Sequence, residues 1–125
     1  MSRTALSGLV WGVYNSLLGV FLLLLPQAFC QVFGLAPPAD FWSRWAGGLL
    51  TAIGFLYLRA VPGDVRPFFR WTVEGRPVVL LVAIALVATG QTQWPMIGFG
   101  VMEVLGALWM GWALRTGARA PAMAG

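Results

Sequence analysis

The chain has no histidine, no lysine and a single cysteine in 125 residues. Without histidine there is no His-bearing zinc or haem site, no Ser-His-Asp triad and no imidazole acid–base chemistry. Without lysine there is no phosphate loop of the GxxxxGK[ST] type and no Schiff-base nucleophile. Cys30 alone forms neither an intramolecular disulfide nor a C-x-x-C redox pair, and reads as a small apolar residue. These absences weigh against an enzyme and lead us to expect no cofactor and no metal. Charge is scarce too: 10% of residues are charged, against roughly 25% in an ordinary soluble domain. The eight cations are all Arg, against four acidic residues. They stand at the ends of apolar runs rather than in one patch, so the net charge of +4 is not a nucleic-acid footprint.

What is present is apolar. Hydrophobic residues make up 59% of the chain, and the mean hydropathy is +0.80. A soluble or disordered chain needs polar surface that this one lacks, so an integral membrane protein is expected. Residues 5–25 form an uncharged apolar run, and about 20 apolar residues span a bilayer core. The run is too long for a signal-peptide h-region, and no cleavage site follows, so it reads as a retained helix that Pro26 ends. Residues 26–40 read as a connection with a short turn on the membrane surface. A second helix is expected at 41–60, capped by Asp40. A third is expected at 67–90, kinked near Pro77, with an Arg70–Glu74 pair at i,i+4 on its first turns. A fourth is expected at 96–114, opened by Pro95, followed by a flexible cytoplasmic tail at 115–125.

Short connections make sequential helices antiparallel neighbours. The expected fold is all-α: a single domain forming an up-down four-helix transmembrane bundle. Arg3, Arg59, Arg66, Arg70, Arg76, Arg115 and Arg119 fall on one side and Arg44 on the other, which places both termini in the cytoplasm of a bacterial inner membrane. Trp42, Trp45 and Trp94 near one boundary, and Trp71, Trp109 and Trp112 near the other, fit two aromatic belts.

Three polar residues stand inside the apolar runs: Asn15, Arg44 and Glu103. A charge at the bilayer centre costs roughly 2.5–3.5 kcal/mol on insertion scales, so each is expected to point inward. Each shares a helical face with small residues: Gly8, Gly12 and Gly19 with Asn15, Gly47, Gly48 and Thr51 with Arg44, and Gly100, Ala107 and Gly111 with Glu103. Small-residue faces are where membrane helices approach closely. At about 1.5 Å per residue, Arg44 and Glu103 lie in the same outer half. An Arg44–Glu103 ion pair is therefore expected, with Asn15 nearby. The trio reads either as a polar lock on helix register or as a substrate-binding site. Tyr14 and Tyr57 are expected to hydrogen-bond between helices.

The sequence Tyr14-Asn15-x-x-Leu18-Gly19, Pro26-x-x-Phe29, Phe33-Gly34-Leu35, Phe41-Trp42-x-Arg44-x-x-Gly47, Gly75-Arg76 and Glu103-x-x-Gly106-Ala107 resembles the small bacterial four-helix membrane proteins of the DoxX-like and BphX-like kind. The resemblance covers nearly the whole chain. It implies a four-helix inner-membrane protein, an accessory subunit among the roles, and it supplies no catalytic residue. Some relatives of that kind are linked to membrane redox systems such as a thiosulfate–quinone oxidoreductase.

Three functions follow as expectations. The first is a non-catalytic accessory or assembly subunit, a partner of the bilayer and of a homo-oligomer or larger membrane complex. The second is a binding or transport module for a small amphipathic or lipid-like molecule, anchored by Asn15, Arg44 and Glu103. The third is a subunit of a quinone-linked oxidoreductase.

Overall fold

Ser2 opens the first helix, α1 (Arg3–Leu24), as an N-cap: its Oγ accepts a hydrogen bond from the Ala5 N–H at 2.9 Å. That satisfies one of the amides a helix start leaves open. The computed structural model describes residues 1–37 and 41–124, with side chains as far as residue 116. Asp40, the expected cap of the second long helix, lies outside the described residues. Leu25 leaves helical geometry (φ −131°, ψ 62°) because the residue before a proline is pushed out of the α region. Pro26 then starts the short α2 (Pro26–Val32). Next come α3 (Trp42–Ala60), α4 (Arg66–Ala88) and α5 (Pro95–Ala124). All regular structure among the described residues is helical.

Three of these helices are long and apolar enough to cross a membrane: Arg3–Leu24, Arg66–Ala88 and Pro95–Thr116. α3 falls short of that apolarity, since Arg44, Arg59 and the tryptophans at its start lower it. α4 is one continuous helix with Pro77 inside it. α5 is helical as far as Ala124. The expected Arg70–Glu74 pair does not form, and both side chains are exposed.

The long helices run antiparallel in sequence. α1 and α3 meet backbone to backbone, because Gly19 and Gly47 face each other across the seam. A Cβ on Gly47 would stand 2.5 Å from the Leu23 nitrogen and 2.7 Å from the Gly19 oxygen. In lipid, where burial from water does not drive helix association, such close approach supplies the attraction. α4 and α5 pair along their length, from Leu80 against Gly100 to a 3.0 Å hydrogen bond donated by Arg66 Nη2 to the Leu114 carbonyl. α1 packs on α5 through Trp11, whose ring lies flat on the backbone at Gly106. Trp11, Tyr57, Ala60, Phe69, Met110 and Leu114 form the buried core.

One end of the molecule gathers the N-terminus, the 61–65 turn and the Leu114 region. There Ser2 Oγ donates to Asp64 Oδ1 at 3.1 Å, and Arg3 lies 5.2 Å over the Trp112 ring. The opposite end is formed by α2, residues 33–37 and the 89–94 loop, joined where the Ala36 N–H donates to Gln93 Oε1 at 2.8 Å. The short turn expected in the 26–40 connection takes the form of α2. Phe29 and Cys30 of α2 are buried, because Phe29 packs against Phe21, Phe33 and Phe99 at ring separations of 5.4, 4.8 and 5.8 Å.

Candidate functional site: a carboxylate between a buried arginine and a cavity

Glu103 lies about 12 Å along α5 from its start, at 1.5 Å per residue. Its ion-pair partner is Arg76 of α4: Nε stands 3.9 Å from Oε2. This corrects the expected Arg44–Glu103 pair. α4 is the antiparallel neighbour of α5 and presents Arg76 at the level of Glu103, whereas α3 packs against α1. Arg44, at the start of α3, is exposed and donates from Nη1 to the Leu23 carbonyl at 2.8 Å. Leu23 belongs to the last turn of α1, where carbonyls lack helical partners and attract cations. Arg44 therefore caps α1 and does not reach the cluster.

Arg76 is only 4% exposed. A guanidinium this buried must be compensated from several directions, and it is. Nε and Nη2 donate to the Tyr57 hydroxyl at 3.1 and 2.8 Å, and Nη2 reaches Met110 Sδ at 3.7 Å. Its centre lies 4.6 Å from the Trp11 ring centroid and 5.2 Å from that of Tyr57, close enough for cation–π attraction. Nη1 is buried with no hydrogen-bond partner among the described residues, so the indole face compensates part of its charge. Asn15 is 2% exposed and donates from Nδ2 to the Trp11 carbonyl at 2.9 Å. That bond holds it beside Tyr14, whose ring lies tilted against Trp11 with centroids 4.8 Å apart.

On the other side of Glu103 lies a cavity of about 460 Å³, within the roughly 300–1,000 Å³ range of small-molecule sites. Tyr14, Asn15 and Glu103 line its deep end. Leu18, Leu22 and Leu50 form apolar walls with Phe29 and Phe99, and Gln91, Thr92 and Gln93 line it at the end that carries the 89–94 loop. Cys30 also faces it, and burial pushes its thiol up from the usual range. Arg44 is not among the lining residues. Of the three residues singled out from the sequence, Asn15 and Glu103 thus come together at one cavity and Arg44 does not.

From the sequence Arg76 counts among the cations of one membrane side, and Trp11 carries no role. The signal for Arg76 was its register. Phe69, Arg76 and Ala83 are the buried residues of α4, each seven residues from the next, so they share one face. Among the described residues no group of three metal-ligating side chains comes together. Comparison with protein-family models, curated proteins and solved structures finds no match.

Proposed function

We propose that the protein is a membrane-embedded binding module that holds a small amphipathic or lipid-like molecule in this cavity, polar end toward Glu103, Asn15 and Tyr14. The single observation that carries the reading is a largely apolar cavity whose deep wall includes a carboxylate fixed from behind by a buried arginine. A polar lock on helix register needs the Arg76–Glu103–Tyr57 contacts and no cavity beside them. In this reading the chain crosses the membrane four times, α3 included, as in the DoxX-like proteins it resembles. Support for the fourth crossing is the apolar outer face of α3, where Leu49, Ile53, Phe55 and Leu56 are exposed, and the way α3 packs along α1. Arg3, Arg59, Arg66 and Arg115 belong to the end that gathers the N-terminus, which supports both termini lying in the cytoplasm of a bacterial inner membrane. Arg76, being buried, drops out of that count.

The accessory-subunit reading has one observation in its favour. α4 buries only Phe69, Arg76 and Ala83 and presents Val78, Leu81, Val82 and Ile84 outward, a face that another helix or lipid chains would cover equally well. The cavity is the more specific feature. Native mass spectrometry of the purified protein tests the binding reading. The wild-type chain is expected to carry a small-molecule adduct that Leu50→Trp, which fills the cavity from its wall, does not retain. An adduct pattern identical in the two proteins would overturn it.

A further inference from the structure

We infer that the cavity takes an uncharged, lipid-dissolved molecule ending in a hydroxyl group, which enters from the bilayer between α3 and α4. The inference rests on the binding reading above and adds the class of occupant and its route.

The polar end of the site fixes the charge. Arg76 and Glu103 already form a neutral pair, and each buried ion costs several kcal/mol unless compensated. A cationic ligand would add a third charge beside Arg76, and an anionic one would face the carboxylate. The same end also fixes the hydrogen-bonding sense. At 3.9 Å the Arg76–Glu103 contact is an ion pair too long to be a hydrogen bond. A carboxylate has acceptor positions for about four hydrogen bonds, and with the Trp11 indole occupying one of them Glu103 keeps capacity toward the cavity. A hydroxyl donates to it and leaves the rest of the ligand free to be apolar, as the leucine and phenylalanine walls require.

The route follows from the packing. α1 closes against α3 and against α5, and α4 closes against α5. On the remaining side, Tyr57 meets Arg76 and Phe68 at the inner end. Further out, Ala46 of α3 and Val79 of α4 both line the cavity and are exposed. A residue that lines a cavity while exposed marks a mouth; Ala36, Pro37, Gln91 and Gln93 mark a second, more polar one at the loop end, and a ligand dissolved in lipid chains meets the apolar one first. The apolar mouth faces sideways, flanked by the exposed Leu49 and Val78, at a depth where lipid chains would surround it.

The test uses the full chain in lipid nanodiscs with four probes of equal chain length: decanol, decylamine, decanoate and decane. The readouts are the thermal midpoint and the rate of tryptophan quenching by bromodecanol. Decanol is expected to raise the wild-type midpoint with the logarithm of its concentration, more than the other three probes do, and to lose this effect in Leu50→Trp. Ala46→Phe enlarges an exposed side chain at the mouth without adding a tryptophan and is expected to slow quenching several-fold, while Ala46→Ser leaves it unchanged. A larger shift with decylamine, decanoate or decane would overturn the occupant class while leaving a site in place. Quenching equally fast in Ala46→Phe, with binding intact, would overturn the route. Shifts identical in wild type and Leu50→Trp for every probe would mean bulk partitioning, and the binding reading itself would fail.

Discussion

Replacing Arg76 by leucine should be the most damaging single change of a charge in this molecule. Three contributions are lost together: two hydrogen bonds to the Tyr57 hydroxyl, cation–π contact with Trp11 and Tyr57, and the ion pair to Glu103. Hydrogen bonds from a charged donor are worth roughly 1.5–3 kcal/mol each and cation–π contacts about 0.5–2 kcal/mol, but neighbouring terms are not additive. The dominant effect is the carboxylate left buried without its counter-charge, and breaking a buried pair from one side typically costs about 3–5 kcal/mol. Arg44→Ala removes an exposed donor to one helix-end carbonyl and should cost about 1 kcal/mol or less. The double replacement Arg76→Leu with Glu103→Leu should be milder than Arg76→Leu alone, since no unpaired charge then remains. Equilibrium unfolding in mixed detergent micelles, followed by circular dichroism, gives these three differences and that of Glu103→Leu alone. If Arg76→Leu proved as mild as Arg44→Ala, or the double replacement cost the sum of the singles, the reasoning would be refuted.

Gly47→Leu should separate α1 from α3, because its Cβ would fall on the Leu23 backbone. Overpacking typically costs about 1–3 kcal/mol, and here the obstacle is main chain that cannot rotate away, so unfolding at lower denaturant than Gly48→Leu, an open position, checks it. Tyr57→Phe removes the acceptor of both Arg76 hydrogen bonds while keeping the ring, and should destabilise the protein less than Arg76→Leu in the same unfolding assay. The raised thiol of Cys30 should react slowly with maleimide at neutral pH and faster as alkaline pH forms the thiolate. Because Cys30 faces the cavity, decanol should slow the reaction further, which thiol-labelling rates read directly.

Much of the helical plan was legible because it depends on local pattern. The uncharged stretch that became α1 and the apolar runs of α4 and α5 announce themselves by length, and Ser2, Pro26 and Gly90 mark where helices begin or end. The pairing of sequential helices was legible: α3 on α1 and α5 on α4 are neighbours that an up-down order gives. The same order sets the second and fourth long helices, which carry Arg44 and Glu103, diagonally apart, and compatible depth alone did not make them partners. Arg76 was obscured by its surroundings: Arg70, Glu74 and Pro77 made the start of α4 look like headgroup-layer sequence, while the seven-residue spacing to Phe69 and Ala83 was the quieter and more informative sign. α2 looked amphipathic and surface-bound because its partners, Phe21 and Phe99, stand on other helices. Asn15 was read as inward-facing from its glycine neighbours, and its hydrogen bond to the Trp11 carbonyl is local enough to have been expected from the i−4 position.

The account depends most on Glu103 being the group that meets the ligand. Infrared difference spectroscopy of the protein in nanodiscs, with and without decanol, observes its carboxyl bands directly. A decanol-induced change in those bands in the wild type, absent from Glu103→Gln, is the expected result. Decanol bound in the cavity with the Glu103 bands unmoved would contradict it.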